Sequence, residues 1–321
     1  MEYRLLGRTD IEVSTVCCGT MAMCPHKTYP GQDDQAAIGA IHAALDAGIN
    51  FFDTAEAYGD GYAENILGRG LEGRRDEAII ATKVSSNHLR EADMRACCEA
   101  SLRRLRSDYI DLYQVHWPNH DIPFHETAAV LEALKDEGNI RHWGVSNFGK
   151  RDLPEAIEVE RPESNQVPYS LLWRVVEHDV VPVCVEHDVS VICYSPMAQG
   201  ILTGKFEGPE DVPAARKRAR YCREEVIDLA FDVVDELRTV SEEIGEPLSA
   251  VALAWVLAQQ GVTSAIAGAR NAEQVAQNAR AGDVALPPDA VEKLTRVSGL
   301  VKDALDTNPD MWNEGDESRY R

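Results

Sequence analysis

Four polar side chains, each at the end of a short apolar run or just past it, could together deliver a proton to a carbonyl oxygen. Asp53 closes Asn50-Phe51-Phe52-Asp53-Thr54, and Tyr58 sits in the following Ala55-Glu56-Ala57-Tyr58-Gly59. Lys83 ends Ile79-Ile80-Ala81-Thr82-Lys83, and His116 ends Leu112-Tyr113-Gln114-Val115-His116. Each alone is commonplace: an aspartate caps a loop, a strand-end lysine reaches for solvent, a histidine lines a rim. Together they make an acid-base device. A tyrosine with a pKa of about 10 is a poor acid near neutrality. An ammonium beside it, Lys83, is expected to stabilise the phenolate and lower that pKa, each unit being worth about 1.4 kcal/mol. Asp53 would keep Lys83 protonated through a charge-assisted bond. His116 would orient the carbonyl and donate a hydrogen bond to it. Tyr58 is then general acid for reduction and general base for oxidation.

For these groups to meet, the runs that carry them must lie side by side. Short stretches rich in Val, Ile and Phe recur at 15–19, 50–54, 78–83, 110–116, 140–146, 164–167, 189–195 and 264–268, as expected of strands buried on both faces. Helical patterns separate them. Asp33 or Asp34 caps a helix with Ala37, Ile41, Ala44 and Leu45 on one face, which Gly48 ends. Further helices are read at 62–71, 91–105, 125–137, 175–187 and 272–281, with two more, 223–244 and 249–260, before the last strand. Eight strands alternating with helices predict an α/β fold, a closed (β/α)8 TIM barrel, with an open doubly wound sheet as the alternative. Barrel active sites form at the C-terminal ends of the strands, where all four residues fall. Residues 3–6 and 12–13 read as a hairpin plugging the other end. The last stretch, 310–321, is polar apart from Met311 and Trp312 and reads as a tail over the active-site mouth. The expectation is one domain, 1–321.

Gly68-Arg69-Gly70-Leu71-Glu72-Gly73 matches the dinucleotide fingerprint G-x-G-x-x-G. That fingerprint works between a strand and the start of a helix, where the helix N-terminus meets a pyrophosphate. Here the glycines follow a helix, so they are read as its cap and loop.

The chain has 321 residues and a net charge of -22, which argues against nucleic acid as a partner and demands a local basic site for any anionic cofactor. No run approaches the roughly 18 apolar residues of a membrane span, and no signal peptide is evident, so a soluble, cytoplasmic protein is expected. None of the eight cysteines forms a Cys-x-x-Cys pair. Cys17-Cys18 and Cys97-Cys98 suit neither zinc nor bridging, and His116, His120 and His125 have no partner at metal spacing. No metal site is expected.

Asn50 to Gly59, Gly144-Val145-Ser146-Asn147-Phe148 and the segment from Tyr194-Ser195-Pro196 to Thr203-Gly204-Lys205 resemble three signatures of the aldo-keto reductase family. The resemblance spans essentially the whole chain. The ending, Asn308 to Trp312 with Ser318 to Arg321, resembles bacterial members related to general-stress and inositol-linked reductases. The resemblance implies NADPH as cofactor and a small-molecule carbonyl substrate. It implies that Ser146, Asn147 and Gln166 hold the nicotinamide carboxamide, that Tyr194 stacks on the ring, and that Thr20, Met21 and Asp53 lie nearby. Ser195, Pro196, Met197, Gln199, Gly200, Leu202 and Lys205 would run beside the pyrophosphate. Gly268, Arg270, Gln274 and Asn278 would take the adenosine end, with Arg270 at a helix N-terminus pairing the 2′-phosphate bidentately. Arg216-Lys217-Arg218-Ala219-Arg220, the densest basic run, either attracts those phosphates or is a solvated loop.

The chain departs from the family pattern at Ala63, where Ser is usual, at Gln277, where Glu is common, and at Met21, where Trp is frequent. Tyr58, His116 and Trp117 would line the substrate pocket, with Trp312 a further candidate. Such aromatic walls suit sugars, aldehydes and aryl ketones alike. Monomer and homo-oligomer both stay open, as do two other functions: a nucleotide-binding regulatory subunit of the same fold and a sugar or polyol dehydrogenase.

Overall fold

The structure, a computed structural model, describes residues 1–25 and 33–321. In chain order the elements are β1 (Tyr3–Leu5), β2 (Glu12–Ser14), β3 (Val16–Gly19), α1 (Asp34–Asp46), β4 (Phe51–Asp53), α2 (Tyr62–Gly70) and β5 (Ile79–Val84). Next come α3 (Glu91–Leu105), β6 (Ile110–Val115), α4 (Phe124–Asp136), β7 (Ile140–Ser146), α5 (Asp152–Val159), β8 (Ser164–Pro168), α6 (Val180–Glu186) and β9 (Ser190–Tyr194). The last are α7 (Ile227–Ile244), α8 (Leu248–Leu257), β10 (Val262–Gly268), α9 (Ala272–Ala279) and α10 (Pro288–Ala304). Strands β3 to β10 are parallel and pair in sequence order. The barrel closes where β10 meets β3 in the register Ala265–Val16 to Gly268–Gly19. One face of each strand meets the helices and the other the barrel interior, which is why β6 is buried at every residue.

Inward-facing Cys17, Phe51, Ala81, Leu112, Ile192 and Ile266 share one cluster with Leu6, Ile11 and Val13 from the β1–β2 hairpin. The hairpin thus plugs the N-terminal end of the barrel, and the Gly7 N–H donates to Ser190 Oγ at 2.7 Å. The Asp33 side chain accepts from the N–H groups of Gln35 and Ala36 and caps α1, as expected.

The fingerprint glycines serve packing. A Cβ on Gly68 would come within 2.7 Å of the Leu105 carbonyl, and one on Gly70 within 2.6 Å of Ile41. They let α2 lie directly against α3 and α1.

The expected helix over 175–187 is broken into a 3-10 turn, Val175–Glu177, and α6. Pro182 explains the break: deep in a continuous helix it would clash with the carbonyl four residues back, whereas in the first turn of α6 it does not. Helices α5 and α10 were not anticipated. The signal for α10 was present in Pro287-Pro288-Asp289, with proline at the first helical position and Asp289 in the first turn. Among the described residues no helix is long and apolar enough to cross a membrane.

Candidate active site

Asp53 ends β4, Lys83 lies one residue before the end of β5, and His116 directly follows β6, so neighbouring strands bring them together. Lys83 has no exposed surface. Its Nζ donates to Asp53 Oδ1 at 2.7 Å, to the Thr54 carbonyl at 2.8 Å and to the Tyr58 hydroxyl at 3.2 Å. The three ammonium protons thus meet three acceptors, and the phenol's own proton is left to be donated elsewhere. Tyr58 and His116 are half-buried, with rings edge to face at 5.8 Å and 80°.

Burial alone would lower the pKa of Lys83, but Asp53 and Tyr58 outweigh it and the net direction is up. Tyr58 also moves up. Burial raises its pKa more than the Lys83 ammonium lowers it. The expected net lowering is therefore not found: Lys83 acts in the anticipated sense, but taking a phenolate out of water costs more. Burial, then Lys83, pushes His116 down to about 3, leaving a neutral imidazole.

The network continues across the barrel. Gln166 Nε2 donates to Asp53 Oδ2 at 2.7 Å, and the Ser146 hydroxyl donates to the Gln166 carbonyl at 3.0 Å. Asn147, held at φ +64°, donates through Nδ2 to Ser146 Oγ and to the His116 carbonyl, both at 3.0 Å. Its Oδ1 accepts from the Tyr194 hydroxyl at 3.0 Å and from the Tyr320 hydroxyl at 2.7 Å. Thr20 joins through its hydroxyl bond to the Asp53 carbonyl, and Met21 beside it is exposed.

Tyr320 belongs to the tail, which does cross the mouth. Its ring meets Trp117 edge to face at 5.4 Å, and the Arg319 guanidinium lies 3.5 Å from the centre of the Trp117 ring. Buried Asp310 holds Arg319 at 3.2 Å, and Asp152 holds Arg321 at 2.9 Å.

A second polar group follows β9. Ser195, Ala198, Gln199 and Gly200 all have positive φ, a strained run of the kind found at ligand sites. A Cβ on Gly200 would collide with the Lys205 ammonium and lie 3.0 Å from the Arg216 guanidinium, so glycine lets both cations fold over this turn. Partial burial, then Arg216 and Arg270, lowers Lys205 to about 8. Arg270 precedes α9, whose N-cap is Asn271. The Arg270 N–H donates to Gln274 Oε1 at 2.9 Å, and Asn278 Nδ2 donates to the Gly268 carbonyl at 3.4 Å.

Residues 15–298 match the model of the aldo/keto reductase family. The chain belongs to the aldo-keto reductase family. It is 36% identical to the aldo-keto reductase YhdN of Bacillus subtilis, over 86% of this chain and 87% of that one. It is 32% identical to the NADH-specific methylglyoxal reductase of Escherichia coli, over 88% and 93%. A crystal structure of an aldo-keto reductase from Klebsiella pneumoniae in complex with NADPH superposes with a TM-score of 0.76 at 32% identity, covering 95% of this chain and 96% of that one.

In this aldo-keto reductase barrel Asp53, Tyr58, Lys83, His116, Ser146, Asn147, Gln166 and Tyr194 form one connected network. Gly200, Lys205, Arg216 and Arg270 gather at the second group. Leu202 does not face it: its side chain is in the core and its N–H closes on the Met197 carbonyl. Pro196 is buried as well. The basic run divides, because buried Arg220 pairs with Asp306 and donates to the Asn308 carbonyl, anchoring the tail. Trp312 packs on the main core, and Tyr320 is the tail aromatic beside Trp117. Sequence reasoning missed Tyr320 and Arg319, since a polar tail carries no periodicity that ties it to a residue more than a hundred positions away.

Proposed function

We propose that this chain is an NADPH-dependent reductase of small aldehydes and ketones, with Tyr58 as general acid, and that residues 1–321 act as one barrel unit around one site. The observation that carries this reading is a wholly buried ammonium shared between a carboxylate and a phenol, Asp53–Lys83–Tyr58. Such an arrangement costs too much desolvation to be structural filler. The residues present fit the cofactor. Lys205, Arg216 and Arg270 crowd together in a chain of net charge -22, which suits a phosphate-rich ligand. Ser146, Asn147 and Gln166 offer hydroxyl and amide groups whose mutual bonds already fix their orientation, and Tyr194 offers a ring.

When bound, the nicotinamide supplies a hydride to the carbonyl carbon. Neutral His116 donates a hydrogen bond that orients the carbonyl oxygen. Tyr58 delivers its proton to that oxygen, and Lys83 stabilises the phenolate left behind. Asp53, braced by Gln166, keeps Lys83 charged and in place. Trp117 and Tyr320 form the aromatic wall against which the substrate packs. Arg270 takes the 2′-phosphate, with Lys205 beside the pyrophosphate, which favours NADPH over NADH. Eight unbridged thiols suit a reducing cytoplasm.

The test is fluorescence titration with NADPH and NADH, then turnover of a generic aldehyde, on the native protein and Tyr58→Phe. Tighter binding of NADPH, and a variant that binds but does not turn over, support both assignments. Absence of binding by either nucleotide ends the reductase reading, and full turnover by Tyr58→Phe ends the acid assignment.

A further inference from the structure

A second cluster lies outside the network above. Glu56 sits in the loop after β4, His88 ends the 3-10 turn Ser86–His88, and Cys97 faces them from α3. The carboxylate, imidazole and thiol atoms all lie within 4.8 Å of one another. His88 Nδ1 is 2.9 Å from Glu56 Oε1 and 3.3 Å from Cys97 Sγ.

The geometry excludes a proton relay from thiol through imidazole to carboxylate. A relay uses the two ring nitrogens in turn, whereas here both partners converge on Nδ1. Mutually close O, N and S donors are what a metal ion of this kind requires. A tetrahedral zinc with Zn–S about 2.3 Å and Zn–N and Zn–O about 2.1 Å would set S···N near ~3.6 Å and N···O near ~3.4 Å. The cluster is within about 0.3 Å of the first and about 0.5 Å of the second, both on the short side, so modest side-chain movement would open it to an ion.

We propose that Glu56, His88 and Cys97 form a binding site for a borderline-soft divalent cation of the Zn²⁺ class. The three side chains leave a fourth position for water, reachable because His88 is 38% exposed. The surroundings orient the donors. The Ser85 N–H donates to Glu56 Oε1 at 2.7 Å and holds that carboxylate in place. Asn87 Nδ2 is 3.1 Å from His88 Nε2, and a turn of that amide lets its oxygen accept the Nε2 proton when Nδ1 takes the metal. Linear spacing could not show the site, because its ligands come from three separate elements. The proposal runs against the expectation that Cys97-Cys98 has no metal to serve. Glu56 is two residues before Tyr58 and Ser85 two after Lys83, so the ion would clamp the loop that carries Tyr58 to the turn that follows β5, although binding itself does not depend on the reductase reading.

The experiment takes the full chain, stripped with a chelator and dialysed, and titrates it with Zn²⁺ against a metal-sensitive dye and with Co²⁺ by absorbance. The expected result is one equivalent bound, a rise in Tm, and a thiolate-to-Co²⁺ charge-transfer band. Cys97→Ser should abolish the band, and it and His88→Gln should each weaken Zn²⁺ by roughly 100-fold or more, the loss of a direct ligand exceeding that of an outer partner. Unaltered Tm of the metal-free variants shows that they fold. Absence of saturable one-equivalent binding, or a band and affinity that survive Cys97→Ser, would overturn the proposal.

Discussion

If Lys205 meets the cofactor phosphates, NADPH affinity must fall as pH rises through 8. Partial burial, then Arg216 and Arg270, sets the Lys205 pKa at about 8. Bound phosphate would oppose these cations and raise that value, so binding is coupled to proton uptake above pH 8 and not below it. The sign follows: affinity is complete while Lys205 is charged in the free protein and is lost once it is neutral. With one proton involved, the dissociation constant scales as 1 + 10^(pH − 8), a rise of about tenfold between pH 7 and pH 9, or about 1.4 kcal/mol. Fluorescence titration at constant ionic strength across that range measures it directly. Lys205→Arg keeps its charge throughout and should give a flat, tight profile. Lys205→Met should be flat and weak, matching the native protein at high pH. A native profile flat from pH 7 to 9 would remove Lys205 from the phosphate site.

Removing one half of the buried pair, Lys83→Met, strands the Asp53 charge and should cost about 3–5 kcal/mol in denaturant titrations. Asp53→Asn/Lys83→Met should recover most of that loss while staying inactive, and losses that simply add would contradict the account. Tyr320→Phe removes one of two donors to Asn147 Oδ1 and should cost about 1 kcal/mol of stability, read as a small fall in Tm, while KM for NADPH rises as Asn147 loses its brace. A fall in KM would mean instead that the tyrosine competes for Asn147. Gly68→Ala, driven against the Leu105 carbonyl, should cost about 1–3 kcal/mol of stability and leave NADPH affinity unchanged. Lost affinity at full stability would revive the fingerprint reading.

The barrel was legible because its strands are short apolar runs bounded by loops, and the observed β3 to β10 fall on them within two residues. Asp53, Lys83 and His116 were legible because their places at strand ends follow from strand period and length. Two things were not. The direction of the Tyr58 shift depends on how deeply the phenol is packed, which residue order does not carry. The Asn147–Tyr320 bond joins positions 173 apart, and the Glu56–His88–Cys97 cluster depends on which face of α3 turns toward one 3-10 turn.

The network described above runs across a seam in the chain. Asp53, Tyr58, Lys83 and His116 all lie on β4 to β6 or in the loops that follow them, whereas Lys205, Arg216 and Arg270 come from beyond β9. On the proposed roles, proton delivery and nucleotide preference would be inherited from different stretches of the gene. A chimera that joins residues 1–116 of one such barrel to the remainder of another would exchange coenzyme choice and leave the acid untouched. Within the polar network, Asp53 with Gln166 and His116 with Asn147 bind the two stretches. Those are the pairs that must be inherited together, and drift at either partner alone is where recombination between lineages would first fail.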